Sequence, residues 1–552
     1  MPTPILDPRV RQFILPTRIV WTSDRGVANA GNLLRDDDRV CILERNPGEE
    51  PGSVLVDFGR ELHGGVRIDV PTTSTGQPAR VRVRFGESAS EAMGTPNQDH
   101  TIHDFDTLVA WMGHVEVGCT GFRFVRIDLL EEGATISVRQ VLAVFLFRPL
   151  EYKGSFECDD ERLNAIWSTG AYTVHLCAQD HVWDGIKRDR LVWIGDLHPE
   201  LRTICAVFGD IDVIPASLDY ARDHTPLPGW MNGISSYSLW WILCHYDWYM
   251  AQGDVAYLEA QRHYLVALLE QLRSQVDESG CERLEGHRFL EWPTSRDPRA
   301  IDAGLQALVA MSLRAGASLC IALGEEDAAR EATTVAQRAA RYPREASETK
   351  QANALCVLAE MADPAEVNTR ILSQDPYRGL SPFYGYYILQ ARAMAGDYAE
   401  CLDLIRTYWG AMIDLGATTF WEAFDMDWVE GSAGIGDLVP QGRRDIHADF
   451  GDFCYKGLRH SLCHGWAGGP TAWLTEHVLG LAPTAPGSRA VRLAPHLGEL
   501  AFARGTLPTP HGVVRVAHEA RGGGQVHTAI EVPAGVRIDD TTGAAEIRRA
   551  ES

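Results

Sequence analysis

The densest concentration of reactive side chains is the stretch WDGIKRDRLVWIGDLHPE, from Trp183 to Glu200. Three aspartates, Asp184, Asp189 and Asp196, are spaced by five and then seven positions and interleaved with Lys187, Arg188 and Arg190. A helix running from Asp189 would put Asp189, Trp193 and Asp196 at i, i+4 and i+7 on one face. Two carboxylates would then flank an indole, as a sugar pocket requires. The competing reading is a salt-bridged surface helix with a capping aspartate. Trp183, Gly185, Trp193 and Gly195 weaken it, because a solvated face rarely needs them. A second cluster, GATTFWEAFDMDW from Gly416 to Trp428, sets Glu422 directly after Phe420 and Trp421. A carboxylate held against apolar surface has a shifted pKa and suits acid/base work, although a loop glutamate capping the next helix has the same local sequence. In CHGWAGGPTAW, His464 precedes a Gly-rich turn and a helix, where an isolated His is more often structural than catalytic.

Other chemistries lack their signatures. There is no GxSxG elbow, no GxxxxGK[ST] loop and no dinucleotide fingerprint in a strand–helix unit, and RGGGQ (521–525) falls between late strands. Two separated carboxylates amid tryptophan fit glycoside hydrolysis, in which one acid protonates the leaving oxygen and a second carboxylate activates water or attacks the anomeric carbon. Thirteen of the 15 Trp lie between Trp167 and Trp473. Many must be core residues, but Trp183, Trp193, Trp292 and Trp421 stand beside carboxylates in loops and are candidates for a pocket lining.

The elements that must carry these clusters follow from periodicity. Up to about residue 150 the pattern alternates, in SVLVDFG (53–59), GGVRIDV (64–70), ARVRVRFGE (79–87), FRFVRIDLL (122–130) and SVRQVLAVFLF (137–147), which predicts a β-sandwich or jelly roll. From Ser155 the period becomes helical, with Asp159 or Asp160 as the first N-cap. Helices are expected over 236–252, 255–276, 303–323, 327–342, 351–361, 382–395, 398–412 and 468–479, with less clear ones around 200–220. No fixed-length repeat supports a helical-repeat scaffold. After about Ala482 short strands return and predict a small C-terminal β domain with a frayed tail at 545–552. The expected domains are therefore 1–152, 153–481 and 482–552.

Composition bounds the function. The 552 residues carry 51 basic and 75 acidic side chains, a net charge of −24, with no long Lys/Arg run, so nucleic acid and anionic membranes are disfavoured as partners. The first 16 residues lack a signal-peptide pattern, and LWWILC from Leu239 is broken by His245 and Asp247 before it reaches about 20 residues. A cytoplasmic protein without a transmembrane helix is expected. Twelve cysteines without a CxxC pair predict buried thiols rather than disulfides or zinc.

WDGIKRDRLVWIGD, SPFYGYYIL (381–389), GATTFWEAFD (416–425), SLCHGWAGGPTAWL (461–474), APHLG (494–498) and LPTPHG (507–512) occur in an order that resembles glycoside hydrolase family 78, the α-L-rhamnosidases. DFGRELHGGVRIDV (57–70) similarly resembles the β-sandwich that precedes the barrel in that family. The resemblance implies an N-terminal β-sandwich, a central (α/α)6 barrel and a C-terminal β-sandwich domain, inversion at the anomeric carbon, and no cofactor; no spaced metal-ligand motif is present in the sequence, and a structural ion stays open. It places Asp189 at the general-acid position and Glu422 at the general-base position. Asp184 and Asp196 match carboxylates that bind rhamnose hydroxyls, Arg188 a neighbouring basic residue and Trp193 an aromatic of the sugar pocket. His464 reaches toward the sugar in this alignment, and Trp292, Trp421, Tyr384 and Tyr386 are further pocket walls by position. The acid position is commonly glutamate in the family and is aspartate here. The implied substrate is a small rhamnoside or oligosaccharide; another six-hairpin specificity, or a sugar-binding protein that lost its chemistry, are the alternatives. Aglycone, linkage and oligomeric state, a homo-oligomer included, stay open.

Overall fold

The computed structural model describes residues 6–95, 103–343, 347–521, 525–541, 543 and 545–549. The chain divides into two units, one comprising residues 1–149, 175–191 and 412–464, the other 150–174, 192–411 and 465–552.

The first unit is built on alternating strands. Ala79–Gly86 buries Ala79, Val81, Val83 and Phe85 while Arg80 faces solvent, the period-two pattern of a half-buried strand. It pairs antiparallel with Asp104–Val109 and Gly113–Leu129 in a seven-stranded sheet that continues through Ser53–Val70 and Gln140–Phe147 to Val10–Ile14, with Arg18–Thr22 also on Ser53–Val70. Val27–Ala28, Cys41–Arg45, Ala134–Val138 and Thr72–Thr73 form a second sheet of four strands. The segments 53–59 and 64–70, expected as two strands, are one strand of 18 residues whose register slips between Asp57 and Leu62 and again between Gly64 and Val66. Gly64 sits at φ 140°, where a Cβ would stand 2.0 Å from the Val144 carbonyl, so only glycine lets the strand bend and continue.

The second unit holds the helices and the C-terminal sheets. Asp160 caps Glu161–Cys177 by accepting the Arg162 and Leu163 amides. Ser235–Gln252 ends at Gly253 in the left-handed region, and Asp254 caps Val255–Ser274. Pro298–Ala322 begins five residues before the expected start because Asp297 caps it and Pro298 fills its first turn. That helix is long and apolar enough to cross a bilayer, but most of it is buried inside the unit, as for a core helix. Leu197–Val207 and Val213–Asp223 are the less clear helices, and Gly385–Met394, Tyr398–Leu404 and Gly469–Trp473 lie in the later expected ranges. Ser155–Cys158, Phe502–Thr509, Gly512–Arg521, Gln525–Val532 and Glu546–Arg549 form a five-stranded sheet, and Leu481–Ala485, Ala490–Leu493 and Arg537–Asp540 a three-stranded one. Residues 546–549, expected to fray, pair in parallel with Ala529–Val532; 550–552, like 522–524 of the RGGGQ segment, lie outside the described residues.

Candidate active site

The helix expected from Asp189 does not form. Asp189 and Arg190 both have left-handed backbones, at φ 52° and 54°, and the helix begins only at Leu197, which keeps Pro199 in its first turn. The loop is instead closed by Asp184, whose Oδ1 accepts the Leu191 amide at 2.9 Å while its own amide donates to the Leu191 carbonyl at 3.1 Å. Arg190 donates to the Cys119 carbonyl at 2.8 Å and lies over the Trp183 ring. Two consecutive non-glycine residues in this region cost on the order of 1–3 kcal/mol each, and these contacts hold them there. The seven-stranded sheet can approach because position 121 is glycine; a Cβ there would stand 2.7 Å from Ile186 and 3.0 Å from the Lys187 amide nitrogen.

The second cluster lies along the segment 458–464 in the same unit. Arg123 donates to the Gly416 carbonyl, Thr418 accepts the Glu61 amide, Thr419 donates to the Leu462 carbonyl, and the His464 amide donates to the Phe420 carbonyl. Glu422 is thereby laid beside Ser461: its amide donates to the Ser461 carbonyl at 3.0 Å, and its Oε2 accepts the Ser461 amide at 3.2 Å.

Arg188 joins the two clusters. Its Nη2 lies 2.6 and 2.5 Å from the two oxygens of Glu422, its Nη1 donates to Asp189 Oδ2 at 2.9 Å, and its Nε donates to the Arg459 carbonyl. Burial raises the Glu422 carboxyl above the usual range, and the Arg188 charge opposes that shift. His464 Nε2 stands 3.7 Å from Glu422 and 3.8 Å from Asp184, and burial, then Arg188, holds the imidazole neutral by lowering its pKa well below the usual value. Glu422, Arg188, Asp184 and His464 are buried, whereas the Asp189 side chain is 35% exposed. The arrangement is one sequestered carboxylate able to take a proton and one solvent-facing carboxyl able to exchange one, held by a single guanidinium. Trp421 is buried in this unit against Phe424 and His460.

The other expected residues belong to the second unit. Trp193 packs edge-on against Tyr237, whose hydroxyl donates to Asp196 Oδ1 at 3.1 Å, so Asp196 stands at the start of a helix without capping it. Trp292 is partly exposed and follows Glu291, which is buried and accepts the Ser381 hydroxyl. Ser381 also accepts the amide of buried Tyr384. Tyr386 lies elsewhere, its hydroxyl 3.4 Å from Glu476 in an ion cluster with Arg202 and Asp247.

Several residues of this architecture had no sequence signal. Glu87 and Glu91 reach Ser461 and Lys187 across more than 90 positions, a separation that no local pattern reports. Tyr237 stands in an apolar helix, where nothing local marks a polar contact. Glu291 had the same acid-beside-tryptophan signal as Glu422. Among the described residues, Glu87, Glu91 and His447 are close enough to hold a metal ion, their ligand atoms lying within 4.8 Å. They do not fit one: the Lys187 ammonium stands 2.8 Å from Glu91, and both His447 nitrogens are engaged, by Ser88 and the His460 carbonyl.

The chain shares the fold of six-hairpin glycosidases. Residues 151–355 match the bacterial alpha-L-rhamnosidase six-hairpin glycosidase domain, and residues 480–539 the bacterial alpha-L-rhamnosidase C-terminal domain. The chain is thus similar to the alpha-L-rhamnosidases of glycoside hydrolase family 78. An alpha-L-rhamnosidase of Alteromonas sp. (strain LOR) is 24% identical over 84% of this chain and 53% of its own length. A family 78 rhamnosidase of Bacillus sp. GL1 superposes with a TM-score of 0.75 at 22% identity, over 94% of this chain and 56% of that one. A Klebsiella oxytoca rhamnosidase with rhamnose bound superposes at 0.66 and 20% identity, over 85% of this chain and 96% of the other. The chain thus spans about half the length of the curated relative it matches.

Proposed function

We propose that the chain hydrolyses terminal α-L-rhamnosides with inversion at the anomeric carbon. The observation that carries this reading is Arg188, which holds Asp189 and Glu422 by two nitrogens of one guanidinium. Asp189 acts as the general acid, giving its proton to the glycosidic oxygen as the aglycone departs. Glu422 acts as the general base, taking a proton from the water that attacks C1 from the opposite face. Its buried setting and its raised pKa suit that task. Asp184 and His464, buried beside Glu422, bind sugar hydroxyls. The relatives support rhamnose as the sugar: the Klebsiella structure has rhamnose bound, and a Streptomyces avermitilis alpha-L-rhamnosidase is complexed with L-rhamnose. We place the protein in the cytoplasm, a reading supported by twelve thiols of which none is paired.

A second reading, a sugar-binding protein without turnover, draws on the Arg188–Asp189 ion pair, which engages the Asp189 Oδ2 that an acid would offer to a leaving oxygen. Purified protein assayed on aryl glycosides separates the two. Release of the aryl group from the α-L-rhamnoside alone is expected, and Glu422→Gln should abolish most of it. Rhamnose binding without any turnover would favour the second reading, and turnover of a different glycoside would replace the sugar.

A further inference from the structure

Lys187 is 1% exposed, an unusual place for an ammonium, and stands directly before Arg188. Its three donors meet three acceptors: the Leu458 carbonyl at 2.5 Å, the His460 carbonyl at 2.9 Å and Glu91 Oε1 at 2.8 Å. Glu87 adds a second counter-charge at 3.6 Å. Arg188 takes the Arg459 carbonyl between them, so adjacent side chains capture the three successive carbonyls 458, 459 and 460.

The same segment continues into the support of Glu422. Glu87 accepts the Leu462 amide at 2.6 Å, Thr419 donates to the Leu462 carbonyl, and Ser461 exchanges two hydrogen bonds with Glu422. From 458 to 462 the backbone is therefore gripped at every residue, by Lys187, Arg188, Glu422, Glu87 and Thr419. Glu87 and Glu91 belong to the short helix Ala89–Met93 and the turn before it, which follow the strand Ala79–Gly86. A fixed backbone of this kind sets a carboxylate's position without touching the substrate.

We propose that Lys187, with Glu87 and Glu91 as its counter-charges, is a positioning residue for the Arg188–Glu422 pair. The inference rests on the hydrolytic reading above for its consequence in catalysis, though not for its geometry. Without the ammonium, the 458 and 460 carbonyls lose their buried donor, the segment relaxes, and the Ser461 amide withdraws from Glu422. A displacement of about 1 Å in such a group can cost about a hundredfold in rate.

The test uses Lys187→Met in the full chain, with Lys187→Met/Glu91→Gln as a second variant that removes the buried charge imbalance and guards against a folding failure. With an aryl α-L-rhamnoside as probe, kcat should fall about a hundredfold while KM changes little and the urea midpoint of the double variant stays near that of the parent. A crystal structure of either variant should show the Ser461 amide to Glu422 contact broken. Parental kcat in a folded variant, or a fall expressed only in KM, would overturn the proposal. If the parent protein turns over no rhamnoside, the substrate reading fails by itself, and the crystal structure still decides: an unmoved Glu422 refutes the positioning role.

Discussion

Arg188 Nη2 sits between the two oxygens of Glu422, at 2.6 and 2.5 Å, inside a site where both side chains are about 95% buried. Burial alone would push Glu422 far toward the protonated form, and the guanidinium limits that rise. The guanidinium therefore holds a sequestered carboxylate closer to its ordinary range.

Removing the guanidinium should expose that balance. In Arg188→Met, Glu422 rises further, so the acid limb of kcat against pH moves to higher pH and turnover at neutral pH falls. Where Glu422 is ionised the variant also loses about 3–5 kcal/mol of stability, the cost of leaving one partner of a buried pair uncompensated. A pH–rate profile with urea unfolding at two pH values checks both; an unmoved acid limb would show that Glu422 is not the titrating base.

Glu422→Gln should be well folded, because an amide oxygen can still accept from Arg188 and the Ser461 amide. Steady-state kinetics should show kcat reduced about 10²- to 10⁴-fold, the range for a lost general base, with KM little changed.

Asp184 is expected to serve the loop as well as the sugar. Asp184→Ala strands the Leu191 amide and should cost about 1–3 kcal/mol in urea unfolding, whereas Asp184→Asn, which keeps an acceptor, should recover most of it. Equal losses in the two variants would count against the clasp.

Glu291 is pushed up to about 8 by burial, opposed by the Ser381 hydroxyl. Below the ordinary glutamate range both folded and unfolded states hold the proton, and Glu291 adds no pH dependence. As pH rises toward 8 the unfolded chain releases the proton and the folded chain keeps it, so stability falls by an amount on the order of a few kcal/mol. Glu291→Gln should remove this slope, so its urea midpoint should exceed the parent's increasingly from about pH 5 to pH 8.

Much of the fold was legible because it rests on local physics. Alternation marked Ala79–Gly86, Gly253 marked the end of one helix, and Asp160 is the one of two candidate aspartates that caps the first. The start of Pro298–Ala322 was missed because apolar periodicity begins later than the Asp297–Pro298 cap. Around the site, residue types were legible and backbone was not. Spacing suggested a helix through Asp189, yet the loop is set by the Asp184 clasp and by Arg190 reaching Cys119, 71 positions away. Lys187 read as one charge in a polar run because its acceptors, at 458 and 460, become neighbours only when the chain folds.

If Asp189 and Glu422 work as an acid and a base on an α-L-rhamnoside, with water as the nucleophile, the anomer released first records it. Proton NMR of the first turnovers on an aryl α-L-rhamnoside tests it most directly. β-L-Rhamnose is expected to appear first and to equilibrate afterwards with the α anomer. Initial release of α-L-rhamnose would contradict it, requiring a covalent intermediate and a different role for Glu422.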